Sequence, residues 1–142
     1  MTGSDRNNRC GIFPEGQRIS GEGIANDHFI GTVYLQVLVM PDQVFNCPAF
    51  SVLFEPGARN SWHRHPGGQV LIVTGGQGYY QEEGKMAQVI RTGDVVKIPP
   101  DVKHWHGAAP DRWLEHIAIS TNPHKGDAVW LEPVSDEEYR RL

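Results

Sequence analysis

Apolar and polar positions alternate along most of this chain in short runs, each closed by glycine or proline. Phe29 to Met40 is rich in Ile, Val, Thr, Tyr and Leu, and Pro41-Asp42 ends it. Ala49 to Phe54 follows and is closed by Pro56-Gly57; Asn60 to His65 is closed by Pro66-Gly67-Gly68. Gln69 to Thr74 and Gly78 to Gln81 flank Gly75-Gly76, which reads as a turn. Met86 to Arg91, Val95 to Ile98, His104 to His106 and Trp113 to Ser120 complete the series. Period-two runs this short and this regularly punctuated predict an all-β sandwich or barrel. Ser135 with Glu138 three residues later is a capping-box pattern, and Asp136-Glu137 suits a helix N-terminus, so a short helix is expected over 135–142. Residues 1–26 are polar and glycine-rich, with Phe13-Pro14 and Ile24 as isolated apolar points. They read as an irregular arm, ahead of a barrel over 27–134.

Composition changes this picture little. The 142 residues are 39% hydrophobic and 21% charged, with a net charge of -4, as expected of one globular domain. No Lys/Arg cluster stands out, so nucleic acid is not an expected partner. No apolar run is long enough to span a bilayer. The polar start carries no secretory pattern, and Cys10 and Cys47 form no CxxC pair. A reduced, cytoplasmic setting is the default expectation.

The histidines change it more. In a strand, residues i and i+2 share a face roughly 6.5 Å apart, so His63 and His65 can converge on one cation. The turn Pro66-Gly67-Gly68 returns the chain antiparallel and brings Gln69 beside them. His104 follows the Pro99-Pro100-Asp101 bend as a third imidazole. Three imidazoles and an amide oxygen leave open positions on a metal that prefers five or six ligands. Because all four donors are neutral, a bound M²⁺ keeps its full charge. Such a site favours polarising a substrate oxygen and disfavours oxidation to M³⁺.

Strand parity names the surroundings. His106 shares the face of His104, and Leu114, His116, Ala118 and Ser120 share one face of their strand. Phe50 and Val52 share a face with Phe54, and Leu71 and Val73 share that of Gln69. The expected pocket is therefore lined by Phe50, Val52, Leu71, Val73, Ala118 and Ser120, with His106 and His116 as its catalytic acid/base candidates. Trp62 and Trp105 have the opposite parity. With the arm, they suggest outward surface that a second copy covers in a homodimer.

Gly57-x5-His63-x-His65-x3-Gln69-x6-Gly76 resembles the first conserved motif of the cupins, and Gly93-x5-Pro99-x-Asp101-x2-His104 the second. Three positions depart from those motifs: Gln69 stands for a glutamate, Asp101 for a glycine and Ala108 for an asparagine. The resemblance implies a double-stranded β-helix, the jelly-roll barrel of that family, with a metal held by His63, His65, Gln69 and His104. More closely, FEPGARNSWHRHPGGQVLIVTGGQG, GDVVKIPPDVKHWHGAAP and LEHIAIS resemble small bacterial cupins associated with carboxymuconolactone decarboxylases. Manganese-dependent hydroxynitrile lyases of cupin type are among them. That likeness implies one divalent transition metal, manganese ahead of iron, nickel, cobalt or zinc. It also implies an oxygen-independent lyase, decarboxylase or isomerase acting on a small hydroxy- or oxo-compound. The alternatives are a metal-dependent dioxygenase and a non-catalytic cupin that binds a small ligand.

Overall fold

The computed structural model describes residues 17–20 and 27–142. Twelve strands, a single 3-10 turn at Pro123–Lys125 and one short helix make up the described chain. The strands are β1 (Gln17–Ser20), β2 (Phe29–Ile30), β3 (Thr32–Val39), β4 (Ala49–Phe54), β5 (Arg59–Asn60), β6 (His63–Arg64) and β7 (Gln69–Glu82). They continue with β8 (Gln88–Arg91), β9 (Val95–Ile98), β10 (His104–Ala108), β11 (Leu114–Ser120) and β12 (Val129–Trp130), and α1 spans Asp136–Arg140. The order β1-β3-β4-β11-β7-β10-β5-β2 curls into a nearly closed barrel, the all-β architecture expected.

β7 joins the two walls. Its first half pairs with β9 and β11, and its second half with β8 and β10. Gly75-Gly76 is therefore not the turn expected from the sequence; the strand runs through it and bends. Gly76 has φ +75, and a Cβ there would lie 1.7 Å from the Trp113 carbonyl oxygen. Only glycine lets the two backbones approach so closely at a positive φ. Other expectations need smaller corrections. The run Phe29 to Met40 is broken at Gly31, which has φ 84. The arm is not wholly irregular, since β1 pairs antiparallel with β3 from Gln17↔Leu35 to Ser20↔Thr32. Phe13-Pro14, Ile24 and Cys10 lie outside the described residues. Asp101 adopts the left-handed conformation (φ 63) that its place in the bend demands.

The barrel interior is filled by Val33, Val52, Phe54, Leu71, Val73, Ile98, Leu114, Ala118 and their neighbours. A second cluster lies outside the barrel wall: Trp62, Trp105, Val134 and Tyr139. Trp62 and Trp105 do face outward, but they are 6% and 0% exposed, because the chain's own C-terminal segment covers them. They offer no surface to a second copy. That segment is tied down at several points. The Arg59 guanidinium donates to the Val134 carbonyl and to Asp136, and lies over the Tyr139 ring. The Tyr139 hydroxyl donates to the Ala108 carbonyl. Ser135 and Glu138 form the expected capping box at the start of α1.

Candidate metal centre

β10 carries His104 and His106 on its inner face, directly beside β6, where His104 pairs with His63. The chain turns at Pro66-Gly67-Gly68 and enters β7 at Gln69. The ring centroids of His63 and His104 are 4.3 Å apart, those of His63 and His65 5.0 Å, and those of His65 and His104 5.6 Å. The structure brings these three imidazoles together. Among the described residues, possible ligand atoms of His63, His104 and His106 also lie within 4.8 Å of one another. His106, expected as an acid/base group, thus sits against the candidate ligands themselves.

Tautomers are set by the backbone. His63 donates Nδ1–H to the Ser61 carbonyl at 2.8 Å, and His104 donates Nδ1–H to the Val102 carbonyl at 2.8 Å. Each therefore presents an Nε2 lone pair, the arrangement that orients an imidazole toward a metal. His65 Nε2, His104 Nε2 and Gln69 Oε1 are buried with no hydrogen-bond partner among the described residues. Buried polar atoms are rarely left unpaired without a reason. Three unpartnered buried atoms beside a clustered third imidazole fit a bound divalent cation.

Burial also removes charge. Desolvation pushes His65 and His104 down to about 4, the Gln69 side chain opposing it at His65 and the Val102 carbonyl at His104. Desolvation, reinforced by His104 and His65, holds His63 well below its ordinary value. The same burial pushes His116 down to about 4 and His106 well below the usual range, the latter helped by His116. Neutral imidazoles are what a metal requires as ligands.

All of these residues except His104, which is fully buried behind His63, form one end of a cavity of about 390 Å³. His63, His65, Gln69, His106, His116 and Asn60 make its polar part; Phe29, Leu35, Phe50, Val52, Phe54, Ala118 and Trp130 make much of its apolar part. Of the expected pocket residues, Phe50, Val52, Ala118 and Ser120 line it. Leu71 and Val73 do not. They have the inward parity expected, but at their level the barrel is already filled by the core cluster, where both are buried. No lysine or arginine lines the cavity, and its one carboxylate is Asp127.

Asn60 and Trp130 are among the lining residues that the sequence did not point to. Asn60 has the parity of Trp62, and strict alternation from His63 would turn it outward. The strand breaks between β5 and β6, so Asn60 and His63 both face inward. Trp130 lies in a two-residue strand too short for a periodicity signal. It pairs with His63 and stacks on that ring at 4.6 Å.

Residues 50–120 match the cupin domain family. An (R)-mandelonitrile lyase from Granulicella tundricola is 49% identical over 127 residues, 89% of this chain and 95% of that protein. A cupin-like protein from Thermotoga maritima matches with a TM-score of 0.82 at 53% identity, covering 92% of this chain and 96% of that one. A cupin 2 conserved barrel domain protein from Rhodopseudomonas palustris, at 18% identity, shares the fold with a TM-score of 0.68 over 90% of this chain and 83% of its own. The chain belongs to the cupin family. No helix among the described residues is long and apolar enough to cross a membrane.

Proposed function

We propose that this cupin is an oxygen-independent, metal-dependent lyase that cleaves a small, uncharged hydroxy-compound, with an aryl cyanohydrin as its first candidate substrate. One observation carries the reading. A set of neutral side chains (His63, His65 and Gln69, with the buried His104 against His63) sits at the end of a cavity that is otherwise largely apolar and holds no cationic side chain. The name of the Granulicella relative, (R)-mandelonitrile lyase, supports the choice of substrate.

His63, His65, Gln69 and His104 would hold the cation. A divalent metal there would act as a Lewis acid toward a substrate hydroxyl oxygen. Manganese is the proposed metal, by likeness to the lyase-type cupins. The protein's own groups do the proton work. His106 and His116 are hydrogen-bonded to each other, His116 Nε2 lying 3.1 Å from His106 Nδ1. His106 takes the hydroxyl proton. The carbon–carbon bond to the nitrile carbon then breaks, its electron pair leaving with cyanide as the aldehyde carbonyl forms. Return of the proton to cyanide gives hydrogen cyanide and restores the neutral pair. The phenyl ring of such a substrate suits the Phe50, Val52 and Phe54 side of the cavity.

The test is anaerobic incubation of metal-loaded protein with (R)-mandelonitrile, followed as benzaldehyde release. Turnover that persists without oxygen and falls about 10²–10⁴-fold in His106→Ala or His116→Ala, at unchanged metal content, is the expected result. No cleavage by protein carrying close to one equivalent of metal refutes the substrate. Turnover that requires oxygen refutes the lyase reading.

A further inference from the structure

The ligand stretch from His63 to Gln69 has a weak point in its own sequence. His65 and Gln69 are joined by Pro66-Gly67-Gly68, and two consecutive glycines give a backbone little stiffness of its own. Two ligands separated by such a turn keep a fixed relation only if something outside the turn holds it. Residues 121–130 are placed to do so. They run from the end of β11 through the 3-10 turn to β12, and Thr121, Pro123, Gly126, Asp127, Ala128 and Trp130 line the cavity.

Both ends of this segment are fastened to the ligand stretch. At the first end, Thr121 Oγ1 donates to the Gly67 carbonyl at 2.7 Å, and Asn122 Nδ2 donates to the same oxygen at 3.1 Å. The Thr121 main-chain N–H donates to the Gly68 carbonyl at 3.3 Å. The two chains touch so closely that a Cβ on Gly67 would lie 2.2 Å from the Thr121 carbonyl oxygen and 2.4 Å from that of Asn122. Asn122 reaches the turn from a left-handed conformation (φ 48), which asparagine tolerates better than most residues. At the second end, Trp130 pairs with His63 across β12 and β6, and its ring stacks on the imidazole with centroids 4.6 Å apart. His28 closes the other face of the Trp130 ring at 4.4 Å. The bond from His63 Nδ1 to the Ser61 carbonyl fixes one direction in the plane of the imidazole. A ring against its face resists tilting about that bond.

We infer that residues 121–130 are a brace for the metal ligands, with Thr121, Asn122 and Trp130 as its positioning residues. Thr121 and Asn122 fix the turn between His65 and Gln69, and Trp130 fixes the plane of the His63 ring. Groups that orient ligands in this way typically account for about 10- to 100-fold in metal affinity. The coupling is reciprocal: whatever the brace adds to metal affinity, the metal adds to the hold of the brace. The inference rests on the ligand assignment made above and stands apart from the choice of substrate.

Thr121→Val keeps the shape of the side chain and removes its donor, Thr121→Ser keeps the donor, and Asn122→Gly removes the amide while suiting the positive φ. The first readout is zinc affinity, measured by competition with a chromophoric chelator. The Thr121→Val, Asn122→Gly double variant should bind zinc about 10- to 100-fold more weakly than wild type, and Trp130→Ala about 10-fold more weakly. Thr121→Ser and Trp130→Phe should stay close to wild type. A merely structural role would lower the melting temperature of the metal-free protein and leave zinc affinity unchanged. The second readout is trypsin cleavage after Lys125, which is exposed in the middle of the brace. Zinc should slow that cleavage in wild type, and by less in the double variant. Should the double variant fail to fold, Thr121→Val set against Thr121→Ser carries the test by the same readouts. Unchanged zinc affinity in the double variant, or cleavage after Lys125 indifferent to zinc in wild type, overturns the inference alone. Wild type that holds no zinc overturns the ligand assignment and the brace with it.

Discussion

Gln69 supplies a neutral oxygen where a glutamate would bring a negative charge. Its Oε1 is buried and lacks a hydrogen-bond partner among the described residues. With three neutral imidazoles beside it, a bound divalent cation would keep its whole charge and hold anions more tightly than a glutamate-bearing site. Gln69→Glu should therefore retain metal and bind azide more weakly than wild type; titration of the metal-loaded proteins with azide measures this. Equal or tighter binding in the variant would remove the charge argument, and with it the reason to expect resistance to oxidation. At this scale the sequence was most informative where spacing and parity agree. The HxH pair, the returning Gln69 and His104 after its bend were all legible. His106 was legible as pocket-facing, but its closeness to His63 and His104 was not, because spacing along one strand says nothing about how tightly a neighbouring strand closes on it.

The elements were legible wherever a glycine or proline ended a run and meant what it usually means. Val95 to Ile98 and Ala49 to Phe54 have the expected bounds, and the capping box at Ser135 starts the helix. The reading failed at Gly75-Gly76, where the same residue type serves a close approach between strands rather than a turn. Local sequence cannot separate these, since the partner that forbids a side chain, Trp113, is distant in the chain. The consequence is testable at that position. Gly76→Ala would drive a methyl group into the Trp113 carbonyl and force a positive φ on alanine. It should destabilise the protein by about 3 kcal/mol, read by urea unfolding. The damage should reach the metal site, because β7 carries Gln69 on the same continuous strand. A variant as stable as wild type would mean that the bend relaxes at little cost. Trp62 and Trp105 make the same point about range. Their outward parity was legible; the C-terminal segment that covers them was not, because its attachment runs through Arg59, Val134 and Tyr139, far apart in sequence.

For the whole molecule, covering those tryptophans shifts the expectation of a homodimer onto other surface. Met40, Val44 and Phe45 are exposed, and their loop begins and ends at Pro41 and Pro48, which line the cavity. An Asx turn stiffens it, with Asp42 Oδ1 accepting the N–H groups of Val44 and Phe45. An apolar tip held rigidly in water is surface suited to a partner. We propose that a second copy covers it. Light scattering should give twice the 15.9 kDa chain mass; Phe45→Glu with Val44→Glu should return it to a monomer. A wild-type monomer at micromolar concentration ends the proposal.

Five histidines, four of them buried and His65 half-buried, couple the whole fold to pH. His65, His104 and His116 are pushed down to about 4 by burial, and His63 and His106 lie well below their ordinary value for the same first reason. An unfolded chain binds protons at these residues near pH 6.5, whereas in the folded chain His65, His104 and His116 do not until about pH 4, and His63 and His106 are held well below their ordinary value. Between those values the unfolded state holds more protons, so stability rises with pH across the window. The contribution is complete above about 6.5 and is lost as pH falls toward 4. Within the window each such histidine contributes a slope of about 1.4 kcal/mol per pH unit, so even two titrating in this way outweigh most surface electrostatics. Metal binding should steepen the loss, because protons compete with the cation for the same Nε2 atoms. The expected outcome is a protein of nearly constant melting temperature from pH 7 to 8 that melts progressively lower from pH 6.5 to 4, with metal released over the same range. Replacing His116, whose ring is not among the proposed ligands, by Asn should make the acid limb shallower while metal content at pH 7.5 is unchanged. A limb of unaltered steepness in that variant would show that His116 is not among the groups that couple stability to pH.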